Sequence, residues 1–168
     1  MNNITLPATR LLVPENDYSL SGLKTLTGRE TREFEVKLKR GKTVVAHAHN
    51  DGNGGQTFIQ FINRDEDAAF TAWVEGWTSK MESSYSEGSW AYEDHYALDA
   101  LVEEAIQLKD LKRRAKTNLI FVNGDENPAE GYRMLSNTTF NDPRIKEILK
   151  DYTPEASLYW NGEGWVAP

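Results

Sequence analysis

The stretch His47-Ala48-His49-Asn50-Asp51-Gly52-Asn53-Gly54-Gly55 is the densest run of chemistry-bearing residues in the chain. On a strand, alternate side chains share a face, so His47 and His49 can direct two imidazole nitrogens at one metal ion, with Asp51 or the distant His95 as a further ligand. A bound metal lowers the pKa of its water, and the function such a site implies is that of a metal-dependent hydrolase. The plainer reading of the same spacing puts both histidines on the solvent face of a strand whose Val44, Ala46 and Ala48 face inward.

The run Asp51, Gly52, Asn53, Gly54 and Gly55 raises the question of phosphate or cation binding. No Lys-Ser or Lys-Thr follows the glycines, which rules out a Walker loop, and the next segment reads as a strand, which rules out a dinucleotide fingerprint. An EF-hand alignment puts Gln56 where the turning glycine belongs and Ile62 where the bidentate glutamate belongs. Two readings remain: a hairpin loop that needs positive φ at several positions, or a nest of backbone N–H groups that holds a nucleotide or another small anion.

A basic run, Lys109, Lys112, Arg113, Arg114 and Lys116, can grip a phosphate or an acidic partner, or it can be the solvated end of a helix. Among the five tryptophans, Trp73 and Trp77 fall at core spacing, while Trp90 and Trp165 lie in turn-rich segments. Aromatics in such places anchor a partner or a homodimer face, or fold back on their own chain. The candidate partner-binding residues are therefore Trp90, Lys112, Arg113, Arg114 and Trp165. No Gly-x-Ser-x-Gly elbow marks a serine nucleophile.

The elements that must position these residues are legible as periodicities. Residues 1–30 show no sustained period and read as an irregular leader with one short strand near Arg10 to Val13; residues 31–168 read as a single domain. Phe34, Val36 and Leu38 alternate with charged residues, Lys42 to His49 makes a second strand and Gln56 to Ile62 a third, an antiparallel meander. Phe70, Trp73, Val74, Trp77 and Met81 mark a helix capped by Asn63 or Asp65, and Leu98, Leu101, Val102 and Leu111 mark a long amphipathic helix over 92–116. A strand over 118–123, its return over 132–136, a short helix opened by Asp142-Pro143 and a β-prone tail near Ser157 to Trp160 complete the pattern. The fold class is α+β: an antiparallel meander packed against two main helices, with a C-terminal hairpin and a short helix.

Composition bounds the function. A chain of 168 residues with 39% hydrophobic and 27% charged residues can bury a core without staples. It has no cysteine, which excludes disulfides, thiolate zinc sites and cysteine nucleophiles and agrees with a cytoplasmic location. Its N-terminus lacks the apolar run of a signal peptide, and no stretch is long enough to span a bilayer. The net charge of −7 opposes direct nucleic-acid binding and suits an acidic surface that occupies the nucleic-acid channel of another protein.

The order of strand, Asp51-Gly52-Asn53-Gly54-Gly55 loop, aromatic strand, helix, basic helix end at Lys116-Thr117, apolar strand and Asp142-Pro143-Arg144-Ile145 resembles a family of small bacteriophage and mobile-element proteins over residues 20–150. His47 and His49 are not part of the family pattern, and the resemblance carries over no catalytic residue. It implies an accessory protein in the host cytoplasm that inhibits or modulates a host protein, such as defence machinery or a nuclease, with no cofactor expected.

Overall fold

The computed structural model describes residues 2–81 and 94–168, with the side chains of 77–81 set apart from that description. The chain forms ten strands and three helices among the described residues, and it divides into two compact units. Residues 1–4 and 13–102 make up unit 1; residues 5–12 and 103–168 make up unit 2. The span 31–168, expected as a single domain, has residues in both units. The expected leader is not irregular. Strands β1 (Asn3–Thr5) and β2 (Leu12–Pro14) pair as a ribbon, and β3 (Tyr18–Thr27) forms one edge of a sheet.

Unit 1 is built on an antiparallel sheet in the order β3, β4 (Arg32–Arg40), β5 (Thr43–Asp51), β6 (Phe58–Phe61). Alternation decides its faces. Phe34, Val36 and Leu38 of β4 and Ala46, Ala48 and Asn50 of β5 are buried, whereas Glu33, Glu35, Lys37, His47, His49 and Asp51 between them are exposed. Helix α1 (Arg64–Met81) begins at Asn63, whose Oδ1 accepts the Glu66 N–H at 2.9 Å, the N-cap bond expected of asparagine. The α1 residue Phe70 meets Tyr18 of β3 edge-on at 5.1 Å and Phe61 of β6 at 5.6 Å, so this helix touches both sheet edges. The Trp73 indole N–H donates to the Pro14 carbonyl at 3.1 Å, which fastens the start of the chain to the same helix. Helix α2 (Asp94–Arg114) contributes Ala97, Leu98, Leu101 and Val102 to the buried residues of unit 1 before it continues into unit 2.

Unit 2 holds a second antiparallel sheet in the order β10 (Trp165–Val166), β9 (Ala156–Trp160), β7 (Asn118–Asn123), β8 (Arg133–Ser136). Its central strand, β7, is buried on both faces, which is why Leu119-Ile120-Phe121-Val122 reads as a continuous apolar run. Ile120 packs with Leu111 and Ala115 from the end of α2, with Ala8 and with Trp160. Leu119 packs on the opposite side with Ile148 and Leu149 of α3 (Ile145–Tyr152). The expected hairpin over 118–136 is present, and the tail extends it to four strands.

The start of α3 departs from expectation. Its N-cap position is Arg144, without a side-chain cap, and Asp142 instead accepts the Arg144 backbone N–H at 2.9 Å in a turn that precedes the helix. An aspartate that bonds its own backbone two residues on competes with a capping role, and here the turn prevails.

Candidate functional site

The glycine loop of unit 1 is organised from within. Asn50, buried on β5, donates from Nδ2 to the Gly55 carbonyl and to Thr57 Oγ1, both at 3.1 Å, and its Oδ1 accepts the Gly52 N–H at 2.9 Å. Thr57 Oγ1 donates in turn to Asp99 at 2.5 Å, and Gln56 Nε2 lies 2.8 Å from His95 Nδ1, so both residues after the glycines reach α2. Burial raises the Asp99 carboxyl above its ordinary range, against the lowering effect of the Thr57 hydrogen bond. Gly52, at φ +72°, packs directly on Gly28: a Cβ on Gly52 would stand 2.6 Å from the Gly28 Cα. The Gly52 carbonyl accepts N–H bonds from Glu30 at 2.8 Å and Thr31 at 3.0 Å, which clasps the β3–β4 turn to the β5–β6 loop.

That clasp leaves little of an anion nest. The Gly52 N–H is bonded to Asn50 and the Asn53 N–H to the Asp51 carboxylate at 3.1 Å, a bond that holds the Asp51 pKa below its ordinary value. The Glu30 carboxylate occupies the space beside Gly54 where a side chain would project. A nucleotide phosphate at this loop would therefore meet a carboxylate, and the expected Asp51, Gly52, Asn53, Gly54 and Gly55 site reads instead as a structural clasp.

The residues of the expected metal site lie on the same sheet. His47, His49 and Asp51 do share the outer face of β5, but alternate residues on a strand advance by about 6.6 Å, so a straight strand spreads the three along its length. Among the described residues no group of three or more His, Asp or Glu is arranged to hold a metal ion. His49 packs on Phe58 at 5.5 Å, and His47 stands between Lys37 and Gln60 in the ladder. With Lys24 and Glu35 these residues line a shallow depression of about 430 Å³ on the outer face.

At the loop end of this face the charges are unlike the rest. Glu33 lies directly opposite Asp51 in the β4–β5 register, and Glu30 sits on the adjoining turn. Glu35, one step along the face, reaches Lys24 at 3.8 Å. Neither the pairing of Glu33 with Asp51 nor the position of Glu30 could be read before the register was known.

In unit 2 the basic run separates into two sets. Arg113 and Arg114 both pair with Asp110, which also accepts the Tyr132 hydroxyl. Burial would raise the Asp110 pKa, but these hydrogen bonds prevail and hold it below the ordinary range, while burial and the Asp110 bond push Tyr132 up to about 12. Lys112 and Lys116 point elsewhere: with Thr139, Asn141, Phe140 and Trp160 they line a cavity of about 340 Å³. Trp160 is 0% exposed, and its indole Nε1 has no hydrogen-bond partner among the described residues, a state that costs about 1–3 kcal/mol in a protein interior. Trp165 folds back, its Nε1 donating to the Ala8 carbonyl at 2.9 Å and its ring packed near Trp160 and Tyr132. Trp90 lies outside the described residues.

Sequence reasoning missed Glu104. Buried on α2, it accepts the N–H groups of Ala8 and Thr9 at 2.9 and 2.8 Å and the Thr9 hydroxyl at 2.8 Å, tying residues 5–12 into unit 2. Its only signal was an acid within an otherwise apolar helical stripe. Among the described residues no helix is long and apolar enough to cross a membrane. No family model, curated protein or solved structure matches the chain.

Proposed function

We propose that the protein is an accessory binding protein of a phage or mobile element that engages a basic, nucleic-acid-handling host protein through the acidic loop end of unit 1. The observation that carries this reading is the register that sets Glu33 opposite Asp51, which puts two acidic residues on one exposed face where a cationic partner can meet both. Glu30, held against Gly54 by the loop clasp, extends the same negative surface. The excess of acid is also local: unit 1 has fifteen Asp and Glu against nine Lys and Arg, while unit 2 has eleven against ten.

The mechanism is occlusion. A negative surface on a clasped, well-bonded scaffold steers a basic partner to itself and then occupies the groove the partner would offer to phosphates. Complexes of this type weaken as salt screens the charges. The test is affinity capture from bacterial lysate at low and moderate salt, with Glu33→Lys as the paired bait. That variant places Lys opposite Asp51, a favourable cross-strand pair, so the fold is kept while the surface changes sign. The expected result is a salt-sensitive, nucleic-acid-handling protein recovered by the natural sequence and lost with the variant. The same proteins recovered by both baits would count against the reading.

A further inference from the structure

We infer that the cavity at the C-terminal end of α2 is a binding site for a small phosphate monoester. Lys112 and Lys116 stand four residues apart across the end of the helix, and both line the cavity. Arg113 and Arg114 beside them share Asp110, whereas among the described residues neither Lys112 nor Lys116 has a carboxylate within ion-pairing distance. The helix dipole favours cations at this end. It does not account for a lining that holds no Asp or Glu in a chain of net charge −7.

The donor set selects the ligand. Two ammonium groups, the Thr139 hydroxyl and the Asn141 amide offer two positive charges and two neutral donors. A carboxylate or a phosphodiester brings one negative charge and leaves one lysine unanswered. A phosphate monoester brings about −1.5 to −2 at neutral pH and three terminal oxygens, which matches both charges and the additional donors. The volume, about 340 Å³, is at the lower end for small-molecule sites and leaves room for a compact organic body beside Phe140. That aromatic wall depends on a glycine: Gly162 has φ +99°, and a Cβ there would stand 2.6 Å from Phe140 Cζ. This site lies wholly in unit 2 and is independent of the acidic surface of unit 1.

The test uses the indole of Trp160 as a reporter in the cavity wall. The indole ¹H–¹⁵N resonance of Trp160, assigned with Trp160→Phe, is titrated with adenosine 5′-monophosphate, inorganic phosphate, acetate and a short oligothymidylate without terminal phosphates, at matched ionic strength. The two phosphates are expected to shift it saturably and the other two to leave it in place. Lys112→Gln and Lys116→Gln, both at exposed positions, are each expected to weaken binding about tenfold with the melting temperature retained. An unmoved resonance at about 10 mM ligand, where a millimolar site would be mostly filled, would overturn the assignment. So would an equal shift by acetate or in the double lysine variant. A shift by inorganic phosphate but not by the nucleotide, or tighter binding of the oligothymidylate, would also overturn it.

Discussion

Asn50 shows how one side chain can turn a glycine-rich sequence from an apparent ligand loop into a clasp. It satisfies the Gly52 N–H, the Gly55 carbonyl and Thr57 at once, all from a buried position. Asn50→Ala removes four hydrogen bonds, the longest from the Thr31 hydroxyl at 3.4 Å, and leaves the buried Gly52 donor unpaired, so urea unfolding is expected to show a loss of about 3 kcal/mol. A loss below about 1 kcal/mol would mean that the loop is not held by this residue. Glu33 makes the opposite case. Because it faces Asp51, Glu33→Gln is expected to raise the melting temperature while it weakens partner capture, the pattern of a site kept for binding at some cost to stability. A fall in melting temperature would show that the pair is not repulsive.

What was legible at this scale is uneven for physical reasons. The H-x-H spacing correctly places His47 and His49 on one face, but convergence on an ion also needs ligands from other elements, and spacing along one strand cannot supply it. The glycines announced positive φ, which Gly52 and Gly54 adopt. That Gly52 needs the close approach of Gly28 as well was hidden, because the two meet only through the sheet register. The basic run was visible, yet its division into Asp110-paired arginines and cavity-lining lysines depends on which side of α2 each residue takes.

At the scale of elements, period carried most of the information. The alternation in β4, the apolar run of β7, the α2 stripe and the α1 stripe at Phe70, Trp73 and Val74 lie where the sequence places them, since each buries one face or both against a neighbour, while the side chains of Trp77 and Met81 lie outside the described ones. Residues 1–30 lacked that signal because β3 is an edge strand whose residues are half-buried or exposed throughout, broken by a bulge between Ser21 and Lys24. The 5–12 segment is too short to show a period and is held by Glu104, by the Trp165 N–H on the Ala8 carbonyl and by Ala8 in the core of unit 2. Glu104→Ala leaves the Ala8 N–H buried without an acceptor and is expected to cost about 2–3 kcal/mol in chemical unfolding, with Glu104→Gln recovering part of it. Equal stability of the alanine variant would show that α2 does not fasten this segment.

The β7–β8 hairpin supplies a pH prediction. Arg133 and the Asn123 N–H hold the Glu126 carboxylate, whose pKa falls to about 2 from 4.5. A folded-state value below the unfolded one means that the unfolded chain binds more protons in that window, so the contribution is complete above 4.5 and fades as pH falls toward 2. The melting temperature of Glu126→Gln is therefore expected to lie below that of the natural sequence at neutral pH and to converge on it through that range. A constant difference down to the lowest pH would show that the charge is not the source.

For the molecule as a whole, the formal charge of −7 is an average over two dissimilar units. The acid excess belongs to unit 1, whose sheet displays Glu33 against Asp51, and unit 2 is close to balance with a cation-lined cavity of its own. Composition gave the sign of the charge, and only the fold assigns it to a surface. If that surface is what binds, its sign must control affinity. The most direct measurement is the dissociation constant of the captured partner for the natural sequence and for Glu33→Lys, each at low and moderate salt. The complex of the variant is expected to be at least about tenfold weaker, which corresponds to about 1.4 kcal/mol, with a shallower dependence on salt. Equal affinity and equal salt dependence for the two proteins would contradict it.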